Sequence, residues 1–124
     1  MKILIELPSW LGDSVMATPA IENLLSYYKK SEVTLIGSMS SIELTRRHPK
    51  VQKILILEKS YINLYGSIKS LGSFDLFVSF RGSTRSKFMK FFISSQRKYQ
   101  YDFRKYTTGH QVEKYNNFIN SITK

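Results

Sequence analysis

The chain has 124 residues, which fits one domain, and its 42% apolar residues are enough to build a hydrophobic core. This composition excludes the disordered and fibrous classes of protein. No apolar run reaches the roughly 18–20 residues that span a bilayer, and the acidic opening segment is unlike a signal peptide. Having no cysteine and two histidines, the chain lacks disulfides and thiolate zinc sites, and a histidine metal site is not favoured. We therefore expect a single cytoplasmic domain over residues 1–124.

Charge is distributed unevenly along the chain, whose formal net charge is +10. Residues 1–62 carry 8 basic and 6 acidic groups, so their net charge is +2, whereas residues 63–124 carry 11 basic and 3 acidic groups and reach +8. The excess is densest between Arg81 and Lys105, where the acidic residue is Asp102 alone. Such a distribution favours an anionic partner, and composition alone admits nucleic acid, anionic lipid or a phosphorylated substrate.

Short apolar segments alternate with amphipathic ones, a pattern typical of α/β domains. In chain order the predicted elements are strand Ile3–Leu7, helix Gly12–Lys30, strand Val33–Ile36, helix Ser41–Arg47, strand Val51–Leu57, helix Ile62–Leu71, strand Phe74–Phe80, helix Ser83–Ile93, edge strand Tyr99–Phe103 and helix Gln111–Ile122. Pro19 leaves two alternatives for the first helix, which either begins with Thr18 as its cap or runs from Asp13 with a kink at Pro19.

The right-handed rule for parallel crossovers predicts the strand order 3-2-1-4-5, an open Rossmann-like parallel sheet with helices on both faces. Strands 1 and 4 are then neighbours, and the winding direction changes between them. Ligands of open α/β sheets bind beyond the carboxyl ends of the strands at such a switch point. The segments leaving these two ends are PSWLGDS and RGSTRSK. This topology places Asp13 opposite Arg81, Arg85 and Lys87 across one crevice.

The first of these segments opens a helix at Gly12, where backbone N–H groups could receive a phosphate and the missing side chain would let a ligand approach. Neither GxGxxG nor GxxxxGK[ST] occurs, so an ordinary dinucleotide or P-loop site is not predicted. Asp13 is either a first-turn acid favoured by the helix dipole or a general base that accepts a proton from a substrate hydroxyl. Trp10 either packs in the core or lines a sugar or acceptor site.

The second segment carries Arg81, Arg85 and Lys87 around Ser83, the predicted cap of the fourth helix. These cations form either a solvated helix start or an anion site. Because cations at a helix N-terminus oppose the helix dipole, anion binding explains their position better. His110 is either a capping residue of the last helix or a member of the site.

The fourth helix contains more apolar residues than one narrow stripe needs. We expect Phe88, Phe91 and Phe92 in the core, and Met89 or Ile93 near the surface among the lysines. The result would be either ordinary packing or a basic and apolar rim suited to an anionic membrane surface.

The segment LPSWLGDSVMATPAI, from Leu7 to Ile21, resembles the start of the ADP-heptose:lipopolysaccharide heptosyltransferases, glycosyltransferase family nine, and most nearly the heptosyltransferase II type. The resemblance continues through VTLIGS, HPKV, FDLFVSFRGSTRS and GHQVEKY, and so covers the whole chain.

The resemblance implies the acceptor-binding amino-terminal half of a two-domain GT-B enzyme whose carboxy-terminal donor domain is absent from this chain. Family members transfer heptose from ADP-heptose to the Kdo-bearing inner core on lipid A, with inversion and without a metal or other cofactor. Asp13 corresponds to the proposed catalytic base. The candidate substrate-binding residues are Trp10, Gly12, Arg81, Ser83, Arg85, Lys87 and His110.

The donor contacts would lie mainly in the missing domain, so these residues alone are expected to be inactive. The resemblance also implies a peripheral location on the cytoplasmic face of the bacterial inner membrane.

Two other functions compete with this interpretation. A nucleic-acid-binding α/β module would suit the charge, but the sequence lacks RNP aromatics and a GxxG clamp, so no nucleic-acid partner is expected. A non-catalytic scaffold would dock on a membrane or on a partner subunit. A salt-dependent gel shift tests the first alternative, and co-sedimentation with anionic liposomes tests the second.

Overall fold

The computed structural model describes residues 1–8, 10–56, 61–82, 84–102, 104–106 and 109–123, without the side chains of residues 61–65, 84 and 85. Strands and helices alternate along these residues: β1 (Lys2–Glu6), α1 (Leu11–Tyr27), β2 (Glu32–Gly37), α2 (Met39–Thr45), β3 (Val51–Ile56), α3 (Tyr61–Ser70), β4 (Ser73–Ser79), α4 (Thr84–Phe92), β5 (Ser94–Gln100) and α5 (Gln111–Thr123). Every pairing is parallel and the order is β3-β2-β1-β4-β5. The predicted fold class and strand order are confirmed.

The central strand β1 is apolar because both of its faces are covered. Ile5 lies opposite Leu35 of β2 and Val78 of β4, and all three are buried. Side chains alternate between two cores: one lies under α1, α2 and α5, and the other lies under α3 and α4. In the described parts of the chain, no helix has the length and apolar character needed to cross a membrane.

Helix α1 continues through Pro19, so the longer of the two predicted helices is correct, although it begins at Leu11 and ends at Tyr27. Pro19 has no N–H group to donate to the carbonyl of Val15. The hydroxyl of Thr18 donates to that carbonyl instead, at 2.7 Å. A local side chain thus satisfies the acceptor that the proline leaves open.

The edge strand was predicted too late in the chain, over Tyr99–Phe103, whereas β5 covers Ser94–Gln100; Phe103 lies outside the described residues. No residue of this edge strand is fully buried, and its long cations make contacts through their charged groups. Arg97 lies over the ring of Tyr28, 5.7 Å from the centroid, and the Lys98 ammonium donates to the Lys90 carbonyl at 2.7 Å. Apolar alternation therefore does not mark this strand.

The predicted orientation of α4 is also wrong. Met89 and Ile93 are buried, whereas Phe91 is 78% exposed, and Phe88 and Phe92 are half-buried. Met89 and Ile93 lie one turn apart on the side that meets the sheet, and Phe91, two residues beyond Met89, points the opposite way. The predicted cap of this helix, Ser83, lies outside the described residues.

Candidate functional site

The carboxyl ends of β1 and β4 open into one crevice of about 170 Å³. Pro8 and Trp10 lead from β1 into α1, and Arg81 and Gly82 lead from β4 towards α4. The crevice is lined by Pro8, Trp10, Asp13, Phe80, Arg81, Gly82 and Tyr115. The predicted meeting of Asp13 with Arg81 at the switch point is therefore confirmed.

Asp13 lies in the first turn of α1 and is half-buried. The N-cap residue, Trp10, has extended backbone angles and makes no side-chain cap bond, so the first-turn carboxylate is the anionic group that the helix dipole favours here. Its place in the crevice lining also makes the carboxylate accessible to the hydroxyl of a molecule that binds there. The position therefore suits both roles predicted for this residue.

The start of α1 is anchored by buried hydroxyl groups. The Ser14 hydroxyl donates to Ser41 Oγ at 2.7 Å, and the Ser41 hydroxyl donates to the carbonyl of Pro8 at 2.7 Å. This chain of bonds joins α1, α2 and the end of β1 next to Asp13. Sequence reasoning missed it, because small polar residues at helix starts usually indicate caps.

Trp10 is 75% exposed, so the interpretation of this residue as part of the core is wrong. Its indole ring lies at the crevice, where an aromatic face can pack against the apolar face of a sugar. An exposed tryptophan gains nothing from the core, and its position is consistent with the alternative role of lining a site.

Gly12 is exposed in the first turn of α1, and a Cβ atom built on it would meet no atom within 4 Å. Packing among the described residues therefore does not require glycine at this position. The open space beside the helix start leaves room for a ligand to approach the backbone.

Arg81 lies in the loop before α4, and its guanidinium is committed partly to a buried acid. Its Nη1 atom is 3.8 Å from Glu6 Oε2, and Glu6 is fully buried at the end of β1. The Ser79 hydroxyl donates to Glu6 Oε1 at 2.5 Å. Glu6 was missed by sequence reasoning, although an acid at the carboxyl end of an apolar strand is a usable signal. Arg81 therefore combines a structural ion pair with a place in the crevice lining.

Lys87 does not line the crevice and lies instead in a neighbouring basic cavity of about 440 Å³. This basic cavity is lined by Gly82, Lys87, Lys90, Gln100, Tyr101, Asp102 and Arg104. The prediction that Lys87 faces Asp13 is thus wrong, because the first turns of α4 direct this side chain towards the end of β5. Gly82 lines both spaces and makes them adjacent.

Asp102 supplies the negative charge of the basic cavity. The backbone N–H of Arg104 donates to its Oδ1 at 2.9 Å, and this bond, with the charges of Arg104 and Lys87, holds the pKa of Asp102 below its usual value. The carboxylate is therefore ionised at neutral pH and offsets one of the three cations in the lining.

Of the remaining predicted residues, the structure describes the side chain of His110 alone. Ser83 and the side chain of Arg85 lie outside the described residues, so their roles stay predictions. His110 is exposed before α5, and the N–H of Val112 donates to its Nδ1 at 3.3 Å, which fits the capping interpretation.

Helix α5 contributes Tyr115 to the crevice, a residue that the sequence assigned only to the buried helix face. Burial raises the pKa of its hydroxyl, and the nearby Asp13 carboxylate acts in the same direction. The hydroxyl therefore stays protonated at neutral pH and can donate a hydrogen bond. Edge-to-face contacts with Phe80 and Tyr101, at 5.3 and 5.0 Å between centroids, hold the ring in place.

A separate, mostly apolar cavity of about 200 Å³ lies between α1, α2 and the amino-terminal parts of β2 and β3. At its edge His48 Nε2 is 2.8 Å from Glu22 Oε1, a contact that ties the end of α2 to α1. None of the candidate residues lines it. Within the described part of the chain, no group of three or more His, Cys, Asp or Glu side chains could hold a metal ion.

Comparison with known proteins identifies a curated relative that matches nearly the whole chain. Lipooligosaccharide heptosyltransferase 2 from Campylobacter jejuni subsp. jejuni serotype O:6 is 39% identical over 126 residues, which cover 99% of this chain and 40% of that protein. The chain spans about two fifths of the length of the curated relatives that it matches in this way. No protein-family model matches the chain.

Solved structures share the fold. A glycosyl transferase family 9 protein from Veillonella parvula has a TM-score of 0.77 at 16% identity, covering 98% of this chain and 41% of that one. The E. coli heptosyltransferase WaaC with ADP has a TM-score of 0.76 at 13% identity, covering 98% of this chain and 47% of that one. The five-stranded parallel sheet with its helices is thus the fold of about half of each of these proteins.

Proposed function

The chain is a homologue of the lipooligosaccharide heptosyltransferases, and we propose that it is the amino-terminal, acceptor-binding domain of such an enzyme. The observation that carries the proposal is the meeting of Asp13, Trp10 and Arg81 at one crevice, beyond the carboxyl ends of β1 and β4. Identity of 39% over 99% of the chain supports the same conclusion.

The proposed acceptor is the anionic, Kdo-bearing inner core of lipopolysaccharide on lipid A. The exposed ring of Trp10 packs against a sugar of the acceptor. Arg81 offers a guanidinium at the crevice, a group suited to carboxylates and phosphates. The adjacent basic cavity, lined by Lys87, Lys90 and Arg104, provides further cations for the same anionic molecule.

In the proposed reaction, a hydroxyl of the bound acceptor attacks the anomeric carbon of ADP-heptose. A bond forms between that oxygen and the anomeric carbon, while the bond to the phosphate oxygen breaks on the opposite face and ADP departs with its electron pair. The hydroxyl proton passes to the carboxylate of Asp13, which acts as general base. The anomeric configuration is inverted.

Two further residues shape this site. The neutral hydroxyl of Tyr115 lies in the same crevice as Asp13 and can donate a hydrogen bond to the attacking oxygen or to the carboxylate. Gly12 leaves the start of α1 open to the substrate. The donor binds mainly to a carboxy-terminal domain that this chain does not include, and the proposal requires neither a metal nor a resident cofactor.

Replacing Asp13 with asparagine in the complete, two-domain enzyme tests the proposal. Because asparagine cannot accept the proton, we expect kcat to fall by about 10²–10⁴ while the KM for the acceptor changes by less than about threefold. Glu43→Gln is the matched control, since Glu43 is an exposed acid on α2. Turnover of Asp13→Asn within a few fold of the unchanged enzyme would remove Asp13 from the mechanism.

A further inference from the structure

The outer face of α4 exposes an aromatic side chain that the core does not use. Phe91 is 78% exposed, and its ring lies 5.1 Å from that of the half-buried Phe92, which lies 4.7 Å from Phe88. Phe91 is thus the tip of a cluster of three phenylalanines. A partner that removes such an exposed apolar group from water lowers the free energy of the complex.

Three lysines lie close to this aromatic cluster. Lys87 is four residues before Phe91, so the two share one side of α4, and its side chain is exposed. Lys90 precedes Phe91 and lines the basic cavity together with Lys87. Lys98 places its ammonium at the carbonyl of Lys90, at the end of the same helix. Phe91 therefore shares its side of α4 with the exposed Lys87, and the half-buried Lys90 and Lys98 lie beside it.

We propose that this face of α4 docks the protein on an anionic phospholipid membrane. Phe91 enters the boundary between headgroups and acyl chains, and the ammonium groups of Lys87 and Lys90 contact lipid phosphates. The net charge of +10 complements such a surface. The same charge opposes a second copy of the chain on this face, since two equally basic surfaces repel each other.

Docking in this way has a consequence for the crevice. The basic cavity beside Lys87 shares Gly82 with the crevice, so a membrane on α4 would bring the crevice near the lipid surface. A glycolipid acceptor could then enter it without leaving the bilayer. This consequence rests on the proposed function, whereas the docking itself does not.

Co-sedimentation of the chain with vesicles tests the docking surface. Vesicles of phosphatidylcholine with roughly 30% phosphatidylglycerol should carry the chain down, and vesicles of phosphatidylcholine alone should not. The double variant Lys87→Glu/Lys90→Glu should lower the partition coefficient by about 30-fold. Its matched control, Lys29→Glu/Lys30→Glu, changes the net charge equally at two exposed residues after α1 and should lower the coefficient by less than about threefold.

The aromatic contribution has its own pair of variants. Phe91→Ser should lower partitioning by about tenfold, whereas Met39→Ser, at a residue that is 62% exposed on α2, should leave it within about twofold. Circular dichroism of each variant confirms that it is folded, so that a loss of partitioning reports the surface itself.

Several results would overturn the docking surface: equal losses in the two double variants, equal binding to neutral vesicles, or no binding by the unchanged chain. Sedimentation velocity tests the alternative that this face binds a second copy of the chain. If Phe91→Ser lost self-association but kept its vesicle binding, the face would be assigned to a second copy. Titration with a soluble core oligosaccharide is a separate measurement, so failure of docking and failure of the proposed acceptor role are distinguishable.

Discussion

Three of the four residues from the N-cap to the first turn of α1 contribute to the crevice region in different ways. Trp10 exposes its ring, Gly12 keeps the backbone open, and Asp13 places a carboxylate in the crevice. None of the three contributes to the core, so their identities are not explained by packing. At this scale, a residue that serves the site is one whose replacement leaves stability intact and alters binding.

Gly12→Ala separates these two properties. Since the added methyl group meets no atom within 4 Å and alanine favours a helix, we expect the free energy of unfolding to rise by about 0.5–1 kcal/mol. The same methyl group would obstruct a ligand at the start of α1, so affinity for the acceptor should fall by about tenfold or more. Thermal denaturation and an acceptor titration measure the two effects.

Gly66→Ala in α3 is the matched control, because a Cβ atom there also meets nothing within 4 Å. It should raise stability similarly without any change in acceptor affinity. If Gly12→Ala binds the acceptor as tightly as this control, no ligand approaches the helix start.

Between elements, the site depends on how α1 is held against its neighbours. The buried bonds from Ser14 to Ser41 and from Ser41 to the Pro8 carbonyl connect two helices to the end of the central strand. Buried hydroxyl groups are costly when a partner is lost, because the remaining group has no access to water. This connection fixes the start of α1 and with it the position of Asp13.

Ser41→Ala removes the two 2.7 Å bonds and leaves the Ser14 hydroxyl and the Pro8 carbonyl with only the longer bond between them, at 3.2 Å. We expect the free energy of unfolding to fall by about 1–3 kcal/mol, measured by urea denaturation. Ser26→Ala, at an exposed position of α1, should change stability by no more than about 0.5 kcal/mol. An equally small effect at Ser41 would mean that these bonds do not anchor the helix.

For the molecule as a whole, the crevice forms one side of the proposed reaction centre. An acceptor held at Asp13 still needs a donor, and transition-state stabilisation requires both partners in one water-poor cleft. The chain matches 40% of the length of its Campylobacter relative. We therefore expect the donor contacts of the proposed enzyme outside these 124 residues.

The 124-residue chain should accordingly bind the acceptor but show no transferase turnover above background. Incubation with ADP-heptose and acceptor, followed by mass spectrometry of the product, measures this directly. Addition of the complete enzyme to the same mixture is the positive control. Heptose transfer by the chain alone would show that the acceptor domain carries the whole catalytic centre.

Local sequence patterns determined the number and kind of elements and the order of the strands. The spacing of apolar residues indicates which of them are buried, as in the run Ile3–Leu7 and the amphipathic helix Gln111–Ile122. The crossover rule then predicts the strand order. The same rule predicted that Asp13 and Arg81 would meet, because the carboxyl ends of neighbouring parallel strands share one edge of the sheet.

The tertiary structure decided what depends on residues far apart in the chain. Glu6 contacts Ser79 across 73 positions, and no local pattern reveals such a pair. The orientation of α4, which buries Met89 and exposes Phe91, follows from how the helix meets the sheet when every side of it carries apolar residues. The net charge of +10 follows from composition. Only the folded chain shows that Arg81 lines the crevice while Lys87, Lys90 and Arg104 line the adjoining basic cavity.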